Sequence, residues 1–135
     1  MTDRFFPIGE VSESLHPDAA YEGDAGYDLF AQEAVIIYPS QITVVKTGWG
    51  VTLEEGEVGL VCPRSGLATL GLTVVNAPGI IDSGYSGEIA VILTSLAGPV
   101  EITKGQAIAQ LVITRHLDIQ SGNNRFARGF GSSDN

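Results

Sequence analysis

Short apolar runs rich in β-branched residues recur along the chain, with turn-forming residues between them. These runs are AVIIY (34–38), ITVVKT (42–47), VGLVC (58–62), LTVV (72–75), EIAVILT (88–94), PVEIT (99–103) and QAIAQLVI (106–113). Short strands at this spacing are typical of an all-β sandwich or barrel. Only SGLATLGL (65–72) favours a helix, with Ser65 as a candidate N-cap. The pattern therefore predicts an all-β fold with at most one short helix.

The length of 135 residues fits one domain with a core of its own. The strand pattern ends before the C-terminus, because residues 121–135, SGNNRFARGFGSSDN, are polar and contain glycine, with no alternation of apolar and polar positions. We expect a single β domain over residues 1–124, followed by a flexible C-terminal arm over residues 125–135.

The net charge of −9, with only seven Lys and Arg residues, argues against nucleic acid as a partner, because such binding depends on cations against phosphates. A small phosphorylated ligand is still compatible, since it needs only a few cations or a metal ion. No membrane span is expected, since the uncharged run 66–81 is shorter than the roughly 20 apolar residues that a span requires. A lone cysteine, Cys62, and an N-terminus without the pattern of a secretion signal lead us to expect a cytoplasmic protein.

The stretch NAPGIIDSGYSGEI (76–89) places an acid and a tyrosine three residues apart among glycines. We interpret it as a hairpin between the flanking strands, in which the glycines let a flat polar ligand approach the backbone. Asp82 is a candidate for orienting or deprotonating a water molecule, and Tyr85 for packing on a ring. The structural alternative, an Asx turn at Asp82 with Tyr85 as a strand-end aromatic, stays open from this segment alone.

Two further segments carry groups suited to metal and phosphate. DAGYDLFA (24–31) holds Asp24 and Asp28, hard oxygen ligands of the kind that Mg²⁺ takes together with waters and substrate phosphates. PRSGLA (63–68) combines Arg64 with a hydroxyl and a helix start, a combination that suits a phosphate. Each has a structural alternative: a pair of solvated turn acids in the first, and a surface arginine in the second.

Two segments nearer the C-terminus complete the candidates. In KGQAIAQLVI (104–113), strand alternation places Gln106 and Gln110 on one side of the strand. Either one of the two amides reaches a ligand, or both glutamines are structural. RFARGFG (125–131) carries arginines and Phe130 among glycines, as in a lid that closes over a nucleotide or in an ordinary disordered tail.

The remaining residues of chemical interest stand alone. His16 and His116 have no partner at metal or triad spacing, so neither is interpreted as catalytic. Cys62 lies in an apolar run before Pro63 and is expected to be a buried thiol.

Taken together and in this order, DAGYDLFA, PRSGLA, NAPGIIDSGYSGEI, GQAIAQLVI and residues 125–133 resemble the five sequence motifs of the trimeric dUTPases, the deoxyuridine triphosphate pyrophosphatases. The resemblance spans residues 24–133, nearly the whole chain. It implies a jelly-roll-like β-barrel or sandwich protomer that assembles as a homotrimer with active sites at subunit interfaces. It also implies hydrolysis of dUTP to dUMP and pyrophosphate with Mg²⁺, which limits uracil in DNA and supplies dUMP for dTMP synthesis.

The resemblance further implies roles for individual residues. Asp28 holds the metal through water, Asp82 activates the water that attacks the α-phosphorus, and Arg125 reaches the γ-phosphate. Other residues contact the phosphates, the uracil edge or the deoxyribose, or stack over the base when the arm closes. These implied substrate-binding residues are Arg64, Ser65, Gly66 and Gln110 (phosphates), Asn76, Gly79 and Ile81 (uracil), Tyr85 (deoxyribose), and Phe130, Gly131 and Ser132 (arm).

Two other functions stay open as alternatives. A dCTP deaminase resembles dUTPases in fold and in the hairpin segment, although the short chain and the DAGYDL and PRSGLA segments favour dUTP hydrolysis. A nucleotide-gated binding protein, in which dUTP acts as a switch for a regulatory protein partner, is compatible with the acidic composition and also with catalysis.

Overall fold

The computed structural model of the chain describes residues 3–119. Within this range one α-helix, α1 (Ser65–Ala68), and one 3₁₀ helix (Glu13–Leu15) accompany the strands. The strands are β1 (Phe5–Pro7), β2 (Gly26–Phe30), β3 (Val35–Ile37), β4 (Thr43–Lys46), β5 (Trp49–Val51), β6 (Glu57–Cys62), β7 (Leu72–Val74), β8 (Gly79–Asp82), β9 (Ala90–Ser95), β10 (Val100–Ile102) and β11 (Ala107–Arg115). The fold is therefore all-β with one short α-helix, as predicted. Among residues 3–119, no helix has the length and apolar content needed to cross a bilayer.

Four antiparallel sheets surround one apolar core. The largest has the spatial order β2, β11, β6, β8, and a second has the order β4, β9, β7. The pairs β1 with β5 and β10 with β3 add two small sheets. The largest fully buried side chains include Trp49, Leu29, Ile37, Leu93, Ile108 and Leu111. Because these side chains come from all four sheets, burial of their apolar surface holds the sheets together.

Every apolar run predicted as a strand coincides with a strand, within one or two residues at each end. The pattern of apolar runs missed β1, β2, β5 and β8, which have three to five residues each. Strands this short show no alternation that could reveal them. β1 and β5 form because they pair with each other, Phe5 opposite Val51, over a long separation in the chain.

The strands that flank residues 76–89, β7 and β9, pair with each other antiparallel as predicted, but the segment that joins them contains a further strand, β8, which was not predicted. β8 pairs with β6 in the largest sheet, whereas β7 before it and β9 after it pair with each other in another sheet. Pairing with β6 buries Ile81, which is 8% exposed, opposite Gly59. The segment that carries Asp82 and Tyr85 therefore crosses from one sheet to the other.

The outer face of the largest sheet is apolar in its middle. Leu60 lies between Val112 and Ile80 in one row of cross-strand partners, and Ile80 is 59% exposed. Cys62 lies two residues further along β6, on the same face, and is half-buried rather than in the core as predicted. An exposed apolar patch of this kind marks a surface for contact with another molecule.

An ion pair with two contacts fastens the N-terminal strand to β6. The Arg4 guanidinium donates from Nη1 and Nη2 to the two carboxylate oxygens of Glu57, at 2.8 and 2.9 Å. The backbone N–H of Glu54 donates to the same carboxylate at 2.7 Å. The guanidinium, and then this N–H, lower the pKa of Glu57 to about 2. The pair thus links two parts of the chain that are far apart in sequence.

Candidate active site

Strands β2 and β11, the loop before β2 and the start of α1 enclose a polar cleft of about 400 Å³, here called the Asp28 cleft. Asp28, Gln110 and Cys62 are cross-strand partners in one row of the sheet. Partners in a row project to the same face, so this register brings Asp28 beside Gln110. Arg64, two residues after Cys62, completes the cleft wall. Residues of three motifs that are distant in sequence therefore meet here.

An ion pair with a single contact spans the Asp28 cleft. Arg64 Nε donates to Asp28 Oδ1 at 3.0 Å, and the two side chains are 36% and 18% exposed. Within residues 3–119, the second carboxylate oxygen of Asp28 and the terminal nitrogens of Arg64 make no hydrogen bond to protein. The cleft therefore presents an unused acceptor and unused donors, and it suits a ligand that carries both a cation and an anion.

Gln110 lies across Gly26 and supports the turn that carries Arg64. Its Nε2 donates to the Pro63 carbonyl at 3.0 Å. A Cβ at position 26 would overlap the Gln110 side chain, so a glycine is required there for the amide to lie flat on β2. The second N–H of the Gln110 amide stays available to a ligand in the cleft.

Gln106 does not share this position, and the prediction that both glutamines lie on one side was wrong. Its Oε1 accepts the Thr103 N–H at 3.0 Å and closes a turn before the strand. A β-bulge between Ala107 and Ala109 shifts the register and breaks the alternation. Gln106 is therefore a structural glutamine.

Ser65 and Gly66 form the first turn of α1 at the edge of the Asp28 cleft. The prediction of Ser65 as N-cap was wrong, because the N-cap is Arg64, whose extended backbone (φ −94°, ψ 138°) precedes the helix without a side-chain cap. Ser65 is instead the first helical residue. Its hydroxyl makes no hydrogen bond within residues 3–119, which leaves it free for a ligand.

A second cleft, of about 510 Å³, is here called the Tyr85 cleft. It brings together the residues predicted for the base, the sugar and the reacting water: Asn76, Gly79, Ile81, Asp82 and Tyr85. A Cβ at Gly79 would lie 3.1 Å from the Asn76 amide nitrogen and 3.3 Å from the Val61 Cβ, so a larger residue would displace Asn76. Because the Ile81 side chain is buried, only its backbone is available to a ligand.

Asp82 and Tyr85 are joined by a backbone turn. The Tyr85 N–H donates to the Asp82 carbonyl at 3.0 Å, and the Tyr85 hydroxyl donates to the Glu88 carbonyl at 2.8 Å. The Asp82 carboxylate is exposed and, in the described part of the chain, accepts no hydrogen bond from its own turn. The Asx-turn alternative is therefore not observed, and the carboxylate is free to act on a ligand or water.

The two clefts are far apart within one chain. Asp82 on β8 pairs with Val58, near one end of β6. Asp28 on β2 pairs with Gln110, which in turn pairs with Cys62 at the other end of β6. β2 and β8 are three strand spacings apart in the sheet. At about 3.3 Å per residue and 4.8 Å per strand, this register separates the Cα atoms of Asp28 and Asp82 by roughly 20 Å. The two carboxylates cannot act on one reacting atom within a single chain.

The Asp28 cleft suits a magnesium ion that is held mainly by substrate and water. Among residues 3–119, no group of three or more His, Cys, Asp or Glu side chains forms a complete protein metal site. Mg²⁺ commonly takes one or two carboxylates and keeps waters and phosphate oxygens, which fits the one unused oxygen of Asp28. Asp24 lines the same cleft, but its Oδ2 accepts the Tyr21 N–H at 2.9 Å and it is a turn acid.

Sequence reasoning missed two exposed side chains in the clefts. Tyr21 lines the Asp28 cleft and Ile80 lines the Tyr85 cleft. An aromatic residue three positions before Asp24 in a polar loop was an available signal for Tyr21, whereas Ile80 is indistinguishable from a core residue in sequence. The remaining predicted residues, Arg125, Phe130, Gly131 and Ser132, lie outside the described residues.

Comparisons with known proteins identify the family of the chain. A family model described as dUTPase matches residues 13–134. The deoxyuridine 5'-triphosphate nucleotidohydrolase of Thermobifida fusca (strain YX) is 47% identical over 127 residues, 87% of this chain and 71% of that protein. The solved structure of the Streptococcus mutans dUTPase has a TM-score of 0.80 at 27% identity, over 88% of this chain and 100% of that chain. A mutant dUTPase from phage phi11 of S. aureus, with a coordinated structural Mg(II) ion, has a TM-score of 0.74 at 28% identity, over 84% and 92% of the two chains. A match of this extent shows that the chain belongs to the dUTPase family.

Proposed function

We propose that this protein hydrolyses dUTP to dUMP and pyrophosphate, which limits uracil in DNA and supplies dUMP for dTMP synthesis. The observation that carries the proposal is the convergence of Asp28, Arg64 and Gln110 on one polar cleft. Phosphoryl transfer relies on positioning and electrostatics, and these groups match the charges of a triphosphate with its metal. The T. fusca relative carries the name of the same activity.

In this proposal the Tyr85 cleft selects the nucleoside. Asn76 and the backbone of residues 79–85 bind the uracil edge, and Tyr85 packs on the deoxyribose. Cytosine has reversed donors and acceptors and would leave buried polar groups unpaired, a mismatch that supports discrimination of roughly 10⁴. Thymine carries an additional methyl group, which is excluded by contact with the backbone.

The chemical step uses groups from both clefts. Asp82 orients a water molecule and takes its proton as the water oxygen bonds to the α-phosphorus and pyrophosphate leaves. Arg64, Ser65 and Gln110 bind phosphate oxygens and stabilise the negative charge on the leaving group. Asp28 would hold Mg²⁺ through water, and the ion would supply positive charge against the triphosphate.

We also propose that the complete site forms between copies in a homotrimer of jelly-roll-like protomers. The separation of Asp28 from Asp82 by roughly 20 Å in one chain supports this, because the two clefts of one complete site must then come from two different copies. The apolar row of Val112, Leu60 and Ile80 on the outer face of the largest sheet offers a surface for such an assembly.

The C-terminal arm completes the proposal. Arg125 reaches the γ-phosphate, and Phe130 stacks over the base beside Gly131 and Ser132 when residues 125–135 close on the domain of residues 1–124. A cytoplasmic location is compatible with the lone Cys62. A regulatory protein partner, whose binding to this protein is switched by dUTP, remains a prediction of the sequence.

A product assay tests the reaction. The purified protein is incubated with Mg²⁺ and each of dUTP, dTTP, dCTP and UTP, and the release of pyrophosphate and ammonia is measured. We expect pyrophosphate from dUTP alone, because only deoxyuridine satisfies the Tyr85 cleft. Ammonia from dCTP would identify a deaminase instead, and the absence of any product would contradict the proposed hydrolysis.

A mixing experiment tests the shared site. Asp28→Asn and Asp82→Asn are each expected to be nearly inactive, since loss of a general base such as Asp82 costs roughly 10²–10⁴-fold in kcat. Refolded together in equal amounts, the variants should recover activity in about a quarter of the sites, because random assembly into a closed ring pairs intact clefts at that frequency. Each variant refolded alone is the control. No recovery in the mixture would place the site within a single chain.

A further inference from the structure

His16 lies between two hydrogen-bond acceptors and two aromatic rings. Its Nδ1 is 2.6 Å from the Pro17 carbonyl oxygen, and its Nε2 is 2.7 Å from Asp3 Oδ2. The ring centroid is 4.7 Å from that of Trp49 and 5.4 Å from that of Phe5, in edge-to-face geometry. A carbonyl and a carboxylate only accept, so both ring nitrogens must donate and the ring must be an imidazolium.

The charges around the ring support the same protonation state. Asp3 faces it from the N-terminal segment and Glu13 from the 3₁₀ helix. Partial burial opposes the charged form, but the hydrogen bonds to Asp3 and to the Pro17 carbonyl, with the two negative charges, raise the pKa of His16 above its ordinary value. The imidazolium is thus the form that the folded protein stabilises.

The segment tied down by His16 borders the Asp28 cleft. Pro17 is followed by Asp18, whose carbonyl accepts the Asp28 N–H at 2.6 Å and whose N–H faces the Asp28 carbonyl at 3.4 Å. β2 is an edge strand of its sheet, so this bridge supports the Asp28 backbone on the side away from β11. A movement of Pro17 therefore reaches the residue that pairs with Arg64.

We propose that His16 is a positioning residue for Asp28, and that its protonated ring keeps the Asp28 carboxylate in place in the cleft. The inference rests on the proposed function, in which Asp28 meets the metal and the nucleotide. Loss of the proton turns a ring lone pair toward one of the two acceptors, so Asp3 or the Pro17 carbonyl moves away. The bridge from Asp18 to Asp28 then loosens, and binding of the nucleotide with Mg²⁺ weakens as the pH rises.

The test uses Trp49, the single tryptophan of the chain, as a reporter of the neighbouring ring. Tryptophan fluorescence is followed against pH without nucleotide, and the affinity for an α,β-imido analogue of dUTP with Mg²⁺ is measured by calorimetry over the same range. In the wild type we expect a fluorescence transition as His16 titrates. The affinity should fall roughly two- to fivefold through that transition, the effect expected when a partly exposed ion pair is lost.

Two variants separate positioning from a purely structural role. Asp3→Asn keeps His16 and lies outside the cleft, and it should move both the fluorescence transition and the fall in affinity to lower pH. His16→Gln should abolish the transition and hold the affinity at the high-pH level of the wild type. A transition that moves in Asp3→Asn while the affinity curve stays in place would overturn the inference, as would a wild type without a transition. Absence of analogue binding at every pH would overturn the proposed function together with this inference, so the two failures are distinguishable.

Discussion

Two arginine–carboxylate pairs in this protein have the same chemistry and different construction. Arg4 meets Glu57 at two points, and the Glu57 carboxylate, in a residue only 6% exposed, takes a further hydrogen bond from a backbone N–H. Arg64 meets Asp28 at one point, 3.0 Å, in an open cleft. In the first pair both carboxylate oxygens have protein partners, whereas the second leaves a carboxylate oxygen and guanidinium nitrogens without protein partners in the described range.

The difference shows how a structural pair can be told from a binding pair before any ligand is seen. A planar contact with two hydrogen bonds satisfies both groups, and a ligand gains nothing by displacing one of them. A single contact in a cleft can be replaced by contacts to a ligand. The guanidinium can then pair with a phosphate of the triphosphate, and the carboxylate with the metal ion. We therefore expect the Arg4–Glu57 pair to contribute to stability and the Arg64–Asp28 pair to ligand binding.

The strongest test removes the arginine of the binding pair. Arg64→Ala should lower kcat/KM for dUTP by roughly 10²–10³-fold, the usual cost of removing one donor to developing charge. The melting temperature should change little, since a partly exposed pair contributes weakly to folding. Arg64→Lys is the control: it keeps the charge, lacks the planar fork and should recover only part of the activity. Unchanged kcat/KM in Arg64→Ala would remove this residue from the site.

The reverse test acts on the structural pair. Glu57→Gln should lower the melting temperature by several degrees, because Arg4 is left without its charged partner, while kcat/KM stays close to the wild type. Glu55→Gln makes the same chemical change at an exposed position two residues away and should leave both unchanged. Calorimetry and steady-state kinetics measure the two effects. Equal melting temperatures for the two variants would contradict the structural assignment.

The smallest expected effects are in the pH dependence of stability. The contributions of Glu57 and His16 to stability should change with pH in opposite directions. Glu57 has a lowered pKa, so its contribution is complete above the carboxyl pKa of the unfolded chain and is lost as the pH falls toward about 2. The gap in melting temperature between wild type and Glu57→Gln should therefore close in acid. His16 has a raised pKa, so its contribution is present at low pH and is lost as the pH rises through that pKa. The gap in melting temperature between wild type and His16→Gln should therefore close at high pH. Thermal unfolding measured over a range of pH checks both expectations.

Secondary structure was predictable where its cause is local. β6, β9 and β11 follow from runs of apolar residues, since alternation and β-branching are properties of neighbouring residues. β1 and β5 are only three residues long and depend on each other, so nothing local reveals them. The bulge after Gln106 likewise depends on how β11 meets β2, and strand alternation alone placed that side chain on the wrong face.

The candidate site was predictable as a set of residues and not as an arrangement. The motifs singled out Asp28, Arg64, Gln110 and Asp82, and the structure places the first three in the Asp28 cleft and Asp82 in the Tyr85 cleft. His16, with no partner at a recognisable spacing, was set aside, because its partner Asp3 and the aromatic rings around it come together only in three dimensions.

By itself, the sequence determined the all-β class, the positions of the longer strands, the family and the residues with suitable chemistry. The tertiary structure alone decided which of them meet: Asp28 with Arg64 and Gln110 in one cleft, and Asp82 far from them on the strand that pairs with the opposite edge of β6. The physical reason is that propensity and alternation act over a few residues, whereas sheet order and register are set by burying side chains from the whole chain in one core.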